Sequence, residues 1–395
     1  MENTEQKSFM HKLTTFVYVA GLGYCWFEEC QWSPFTQNVF NITCIAFNIV
    51  TCCFFGMITL SPYLTQSYLE QKRINDMLVY NVIMPFYYLS TMCLRYYKDE
   101  VKQLIYELVV RLPSLYNDPQ VEAEMVKKAK YFFRLIAFSS WFVLGMIILD
   151  SLIRSLKNDE TFTTIITVWP DIEDRSPVAD AMRILVCIVW AMLVTQNIAS
   201  VTMIICMMIY TSHQFKQLQS YFCGLVNIFA EDLSQLEKEN KYEAALKIGF
   251  KRHSEIISYT RKLVKIYHVA YEGQIIVNVL LTTVIMLRLV NEGRSPTVVV
   301  SRILLEITIL CTTGIYMATL GDISLEAEKL TTAIYMSGWE NCYRSSSVRV
   351  RKLLAISMSQ TQNPFTIYAL GVLPMSFSSF VSIVKFSYSI FSVIV

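Results

Sequence analysis

Charged residues are scarce in this chain. Only 17% of its 395 residues are Asp, Glu, Lys or Arg, whereas 54% are hydrophobic and the mean hydropathy is positive at +0.39. A soluble chain of this length would carry more charge on its surface, so the composition predicts a membrane protein. The net charge of +2 gives no global basic field, so nucleic acid is not an expected partner.

Signatures of enzymes, metal sites and transporters are also missing. The sequence contains no G-x-S-x-G, no H-E-x-x-H and no glycine-rich phosphate loop, so we predict that the protein is not an enzyme. None of the 11 cysteines forms a C-x-x-C pair and the four histidines are scattered, so the sequence predicts no metal site and no cofactor. We find no internal repeat or pair of broken helices of the kind that transporters carry.

Long uncharged stretches predict membrane-spanning helices. A helix that crosses the hydrocarbon core needs about 20 mostly apolar residues, because its backbone must satisfy its own hydrogen bonds in lipid. The sequence predicts seven such spans, the last of which follows the helix-breaking pair Asn363-Pro364. They lie near residues 37–60, 76–95, 132–152, 183–210, 269–290, 297–321 and 365–395.

A further apolar run, Leu13 to Phe27, is short for a crossing because it has 15 residues and two glycines. It follows Lys7, His11 and Lys12 as the core of a signal peptide would, but it lacks a convincing cleavage site. We predict that it forms an uncleaved interfacial or re-entrant helix.

The distribution of positive charge predicts the orientation. Alternate connections, counted as one side of the membrane, carry 24 Lys and Arg residues, and the opposite side carries 10. Because cytosolic segments are enriched in Lys and Arg, the N-terminus is expected in the cytosol and the C-terminus outside. This orientation is the reverse of that of a G-protein-coupled receptor.

Two connections between the spans differ in character. Residues 216–268 contain no proline and have apolar residues at helical spacing, which predicts long cytosolic helices that continue spans four and five. An apolar stripe away from lipid needs a protein partner, so we infer oligomerisation through this layer. The outer connection 151–182 carries six acidic residues, which form either a solvated loop or a vestibule that concentrates cations.

The last 75 residues closely resemble the C-terminal signature of the insect odorant receptor family. The matching elements are Ala333, Tyr335, Trp339, Arg351-Lys352-Leu353, Gln362, Pro364, Gly371, Phe380 and the segment KFSYSIF. The chain has Trp339-Glu340 where the family often has Trp-Tyr, and Gln362-Asn363-Pro364 where it often has Gln-Lys-Pro. These departures, together with a shorter cytosolic loop, resemble an odorant-tuning subunit more than the shared co-receptor.

The resemblance implies a poorly selective cation channel in the plasma membrane of olfactory sensory neurons. A small volatile odorant would open it, and the subunits would form a heterotetramer with the co-receptor around one central pore. The alternatives that we keep open are a gustatory-type channel, which shares the fold and topology, and a seven-helix G-protein-coupled receptor, which the predicted orientation disfavours.

Taken with the resemblance, the sequence predicts an all-α membrane protein with seven transmembrane helices, a short re-entrant helix and cytosolic helical extensions. The expected regions are a cytosolic N-terminus (1–36), helices one to four with the ligand pocket (37–212), a cytosolic helical anchor (213–268), helices five and six (269–321), a cytosolic anchor helix (322–363) and a pore-lining helix (364–395).

In this family the odorant site lies in the outer half of the bundle, between the second, third, fourth and sixth spans. Methionine and aromatic side chains suit an apolar ligand, because they adapt in shape and offer polarizable contacts. The same stripes could equally pack against another helix or lipid. The candidates are Tyr80, Met84, Tyr87, Tyr88, Phe138, Trp141, Phe142, Gly145, Met146, Cys187, Trp190, Val194, Ile309 and Thr312.

The final helix is expected to line the pore, with Val395 near a hydrophobic constriction. One of its faces, about 80° wide, carries Val381, Lys385, Tyr388, Ser392 and Val395. Lys385 would oppose cation flow on this face unless it snorkels or pairs. The residues expected in the cytosolic subunit anchor are Tyr335, Trp339, Arg351, Lys352, Gln362 and Pro364.

Overall fold

The computed structural model describes residues 5–30, 32–65, 71–114, 116–157, 160–291, 296–344, 346–362 and 365–394. Within these ranges the chain forms ten α-helices and one short β-hairpin. The helices are α1 (Glu5–Val19), α2 (Pro34–Thr65), α3 (Gln71–Tyr96), α4 (Lys98–Tyr106), α5 (Pro119–Lys157), α6 (Pro177–Gly224), α7 (Gln235–Asn291), α8 (Pro296–Tyr335), α9 (Ser347–Thr361) and α10 (Phe377–Ile394), and the strands are β1 (Tyr368–Ala369) and β2 (Leu373–Pro374).

Each of the seven predicted spans falls wholly or partly on one long helix, α2, α3, α5, α6, α7, α8 or α10. Among the described residues, five helical segments are long and apolar enough to cross a membrane, and they belong to α2, α5, α6, α7 and α8. α3 and α10 are not among the five. The helical membrane fold is confirmed, whereas the count of seven crossings stays a prediction.

The start of the final span was predicted wrongly. Residues 365–376 do not join the helix, because β1 and β2 pair here as an antiparallel hairpin and α10 begins at Phe377. The hairpin turns at Leu370 and Gly371, both with positive φ, and the Leu370 amide donates to the Glu272 carboxylate of α7 at 3.0 Å. Asn363 and Pro364, predicted to break the incoming helix, lie outside the described residues.

The N-terminal helix also differs from its prediction. α1 spans Glu5–Val19 rather than Leu13 to Phe27, and the chain turns at Gly21 and Gly23, which both adopt positive φ. Most of its apolar residues are buried against α5 and α6. Met10, Leu13 and Val17 repeat at helical spacing and join the main core. The apolar run therefore provides a packing face within the chain, and the interfacial or re-entrant placement stays a prediction.

The stretch 216–268 is helical except for a 3₁₀ turn, Leu225–Ala230, and a short bend, as its pattern predicts. Its apolar stripe packs within the chain. Tyr242, Leu246, Tyr259 and Leu263 are almost fully buried in one core with side chains from α1, α4, α8 and α9. The apolar stripe thus packs against helices of the same chain and does not require another subunit. It is therefore not evidence for oligomerisation.

Candidate functional site

A cavity of about 60 Å³ lies where α3, α5, α6 and α8 meet. Its wall is mainly apolar, with Ser140, Asn197, Thr308 and the tyrosines Tyr80 and Tyr87 as its polar side chains. The remaining lining residues are Ile83, Met84, Val143, Leu144, Ile147, Trp190, Val194, Ile198, Leu305 and Ile309. An apolar wall with few polar groups is typical of a site for a small, weakly polar molecule.

Helical spacing explains how each wall forms. On α3, Tyr80, Ile83, Met84 and Tyr87 recur at i, i+3, i+4 and i+7, so they share one face. The Tyr80 ring meets the Trp190 ring of α6 edge to face, with the centroids 5.9 Å apart. This aromatic pair joins two walls of the cavity, and Met84 and Trp190 belong to the same buried cluster.

The structure brings six of the fourteen predicted ligand residues to the cavity wall, namely Tyr80, Met84, Tyr87, Trp190, Val194 and Ile309. Of the others, Tyr88 stacks on Phe55 of α2 with the centroids 5.2 Å apart, and the Thr312 hydroxyl donates to the Thr308 carbonyl at 2.8 Å. Cys187 is partly buried on α6, but it does not line the cavity.

The predicted face of α5 is not the one that the structure turns to the cavity. Phe138, Trp141, Phe142 and Gly145 are exposed, Phe138 by 72%, and Met146 is partly buried away from the lining. The cavity instead receives Ser140, Val143, Leu144 and Ile147, which follow the same i, i+3, i+4, i+7 rule. The prediction relied on aromatic content and so selected the exposed side of α5, because aromatics are as favourable against lipid as inside a pocket.

The outer connection packs over this region. Ile165 is buried in the same cluster as Leu144 and Trp190, and the Val168 amide donates to the Met57 carbonyl of α2 at 3.3 Å. Arg183, near the start of α6, is only 5% exposed and organises the connection. Its guanidinium donates to the Asp180 carboxylate at 2.7 Å and to three backbone carbonyls, those of Asp171, Ile172 and Asp174.

α10 presents two different faces. Ser379, Ile383 and Ser387 are buried where the helix packs against α7 and α8, and Phe380 approaches Gly314 of α8. The predicted pore residues Val381, Lys385, Tyr388 and Ser392 lie on the opposite, exposed face of this chain, whereas Val395 lies outside the described residues. Four serine hydroxyls, those of Ser382, Ser387, Ser389 and Ser392, donate to carbonyls of their own helix.

Three predicted anchor residues come together at the end of α8. The Tyr335 and Trp339 rings lie 6.2 Å apart, and the Arg351 guanidinium of α9 lies 5.9 Å from the Trp339 ring, in cation–π range. Lys352 is exposed on α9, and Gln362 caps the end of that helix. Pro364 lies outside the described residues.

Sequence reasoning missed a buried acidic residue that binds the turn between α8 and α9. Glu239 of α7 is fully buried and accepts hydrogen bonds from the backbone amides of Tyr343 and Arg344, both at 3.0 Å, and from the Ser346 hydroxyl. Burial alone would raise the pKa of Glu239, but these hydrogen bonds outweigh it and lower the pKa to about 2. No spacing rule finds such a clamp, because its donors lie about a hundred residues away in the sequence.

A larger space of about 760 Å³ lies between α7, α8, α9 and the hairpin. Its lining is mixed, with charged and polar side chains such as Arg261, Glu328 and Gln360 beside Phe250 and Phe365. A polar space of this kind suits water and ions more than an apolar ligand. It lies on the side of the chain predicted to face the cytosol, next to the start of α10.

The geometry thus defines a helical membrane protein with two features. One is an apolar cavity between four helices, and the other is a serine-bearing helix, α10, that packs against α7 and α8. The 7tm odorant receptor family model matches residues 72–388, so the chain belongs to the odorant receptor family, whose members are ligand-gated cation channels. No curated protein matches it in sequence.

Two solved structures share the fold. The insect olfactory receptor OR5 from Machilis hrabei in complex with eugenol is similar with a TM-score of 0.79 and 14% identity, covering 99% of each chain. A second structure of the same receptor is similar with the same TM-score and identity, covering 98% of each chain. At 14% identity the likeness shows the fold alone and does not assign roles to individual residues.

Proposed function

We propose that this chain is an odorant-tuning subunit of a cation channel, opened by a small apolar volatile bound in the cavity between α3, α5, α6 and α8. The observation that carries the proposal is the apolar wall with few polar side chains in a chain of the odorant receptor family. A ligand there touches α8, which also packs against α10. Binding would favour an open state that the channel already samples, by shifting the packing of these two helices.

Recording current with and without an odorant co-receptor tests the proposal. The panel includes eugenol, because the OR5 receptor of similar fold was solved with it, and eugenol is an aromatic molecule with one hydroxyl. An odorant-evoked cation current that requires the partner supports a tuning subunit in a heteromer. A robust current from this chain alone would show that the channel does not require a partner. A response to tastants only would favour the gustatory alternative.

The cavity makes a sharper prediction through two isoleucines of α8. Ile309 is 3% exposed and lines the cavity, whereas Ile307, two residues earlier, is 49% exposed. We expect Ile309→Phe to fill part of the cavity and raise the half-maximal concentration of bulky odorants at least tenfold, or about 1.4 kcal/mol. Ile307→Phe makes the same change outside the cavity and is expected to stay within about twofold.

Dose–response curves for a graded series of odorants measure this difference. The order of the odorants should change only in Ile309→Phe, because the added ring excludes large ligands before small ones. Equal responses from the two variants would show that the ligand binds outside this cavity.

Lys385 gives a separate prediction for the pore. If the exposed face of α10 lines a water-filled path, the Lys385 ammonium repels cations there. Lys385→Gln is then expected to raise single-channel cation conductance roughly twofold or more, while leaving the odorant order unchanged. Lys157→Gln, at the end of α5, is the control with the same chemical change. Unchanged conductance in Lys385→Gln would show that this face of α10 does not line the ion path.

A further inference from the structure

The polar side chains of the cavity between α3, α5, α6 and α8 are unevenly distributed along its length. One of them, Tyr80, lies at the end near the outer connection, where its ring meets Trp190. The other four lie at the opposite end, which we call the inner end, and each comes from a different helix. They are Tyr87 of α3, Ser140 of α5, Asn197 of α6 and Thr308 of α8.

Contacts between α3 and α6 place Tyr87 level with Asn197. The two helices run parallel, because the ring pair near the outer connection and the Ser90–Ser200 pair, with hydroxyls 3.1 Å apart, both join residues separated by 110 positions. Tyr87 and Asn197 have the same separation. Both also lie at or next to the innermost lining position of their helix.

Thr308 and Ser140 reach the same level from the other two helices. α8 runs parallel to α6, since two hydrogen bonds between them join residues 107 and 111 positions apart, which puts Thr308 within about one turn of Asn197. α5 runs antiparallel to α6, and counting along both helices from the Lys216–Glu124 ion pair puts Ser140 within about one turn of Asn197 as well. Four helices thus bring their polar groups together at one end.

The chain itself does not satisfy these four polar groups. Their side chains make no hydrogen bond to a described residue, whereas the nearby hydroxyls of Ser139 and Thr312 donate to carbonyls of their own helices. They are also not sealed by neighbouring atoms, in contrast to the amide of Gln196, which is buried without a described partner. Polar groups on the wall of an apolar cavity are stabilised when a ligand or water binds them.

Charge and hydrogen-bonding capacity restrict what can bind here. No charged side chain of the described residues lines the cavity, so a carboxylate or an ammonium ligand would lack a counter-charge. Three hydroxyls and one amide can both donate and accept, so a ligand group that does both suits them best. An alcohol oxygen does both, whereas an ether or ester oxygen only accepts. The volume of about 60 Å³ favours a short chain.

We propose that the preferred ligand is a short, neutral aliphatic alcohol, with its hydroxyl at the inner end and its carbon chain directed towards Trp190. The hydroxyl donates to and accepts from the side chains of Asn197 and Thr308 and their two neighbours at that level. The chain packs against Met84 and Ile147, and methionine adapts to its shape. This inference rests on the proposed function, because it specifies the ligand class for the same cavity.

Odorant-evoked current from the full chain expressed with a co-receptor tests the ligand class. The probes are linear molecules of equal length: butan-1-ol donates and accepts, 1-methoxypropane only accepts, and pentane does neither. Tyr87→Phe, Thr308→Val and Asn197→Leu each remove a polar group with little change in size. Tyr88→Phe and Thr312→Val make the same changes on α3 and α8 outside the cavity lining and are the matched controls.

The wild type is expected to respond to butan-1-ol at a half-maximal concentration roughly tenfold or more below those of the other two probes. Tyr87→Phe and Thr308→Val should each raise the value for butan-1-ol about three- to tenfold, and Asn197→Leu about tenfold or more, without weakening the response to pentane. Tyr88→Phe and Thr312→Val should stay within about twofold of the wild type.

The outcomes separate this inference from the proposed function. Equal potency of the three probes on the wild type, or a parallel loss for butan-1-ol and pentane in all three cavity variants, overturns the alcohol preference and leaves the odorant-gated channel standing. Controls that lose the alcohol response as the cavity variants do also overturn it. A wild type that no volatile activates overturns the proposed function and the inference with it.

Discussion

Replacing Arg183 by alanine is expected to abolish the odorant response and to lower the free energy of unfolding by about 1.5–3 kcal/mol or more, the usual range for hydrogen bonds to a charged group. Its guanidinium holds the Asp180 carboxylate and three carbonyls of the outer connection. Without it, the carbonyls of Asp171, Ile172 and Asp174 lose a donor in a partly buried setting. The connection that carries Ile165 then loses its attachment to α6.

The response should suffer because that connection packs on the cavity wall. Ile165 is buried beside Met84, Leu144 and Trp190, all of which line the cavity. Release of the connection exposes this wall to water and weakens an apolar ligand's binding. Arg183→Lys is expected to recover little, because one ammonium cannot reach four acceptors in the geometry of the planar fork.

Thermal unfolding in detergent and odorant-evoked current measure the two effects. Arg175→Ala, an exposed arginine in the same connection, is the control and should change stability by less than about 1 kcal/mol. A wild-type odorant response in Arg183→Ala would show that the outer connection does not support the cavity.

Much of the fold could be predicted because hydrophobic length and charge position are local properties. Uncharged runs located the long helices, and the absence of proline and the spacing of apolar residues predicted that 216–268 is helical. The end of the chain was harder. Residues 365–376 are apolar enough to read as helix, yet the positive φ at Leu370 and Gly371 and a tether to Glu272 shape them into a hairpin. That tether depends on a residue 98 positions away, which no local pattern contains.

The candidate site was predicted unevenly for a physical reason. On α3 the aromatic and methionine stripe faces the cavity, because Tyr80 pairs with Trp190 across the helix interface. On α5 the richer aromatic stripe is exposed, and plain residues such as Ser140 and Val143 form the wall. Lipid and protein interior are both apolar, so hydrophobicity alone cannot tell which side of a membrane helix faces inward.

Replacing Glu239 by alanine is the second change with a large expected effect. Glu239 is a buried carboxylate of α7 that holds the turn between α8 and α9, through the backbone amides of Tyr343 and Arg344 and the Ser346 hydroxyl. Its removal leaves the buried Ser346 hydroxyl and two part-buried amides without this acceptor. Hydrogen bonds to a charged group contribute about 1.5–3 kcal/mol each, so we expect a loss of roughly 3–5 kcal/mol in the free energy of unfolding. Glu231→Ala removes an exposed ion pair with Lys241 and should cost less than about 1 kcal/mol.

The same residue predicts how stability depends on pH. The pKa of Glu239 is about 2 in the folded chain, below its ordinary value of 4.5, so the folded state favours the ionised carboxylate. Its stabilising contribution is therefore complete above about pH 4.5 and is lost as the pH falls from there towards 2. Glu239→Gln keeps one acceptor oxygen and cannot titrate, so it should be less destabilised than Glu239→Ala and should lack this part of the acid dependence.

Melting temperatures of the wild type, Glu239→Gln and Glu231→Ala between pH 3 and 7 measure this contribution. The wild type and Glu231→Ala should lose stability in parallel on acidification, whereas the curve of Glu239→Gln should be flatter below pH 4.5. Because the clamp joins α7 to the turn that carries Trp339, loss of the clamp should also reduce the fraction of chain recovered in a complex with a co-receptor. Stable melting and full recovery of Glu239→Ala would contradict the assignment of this carboxylate as the group that holds α7 to the turn between α8 and α9.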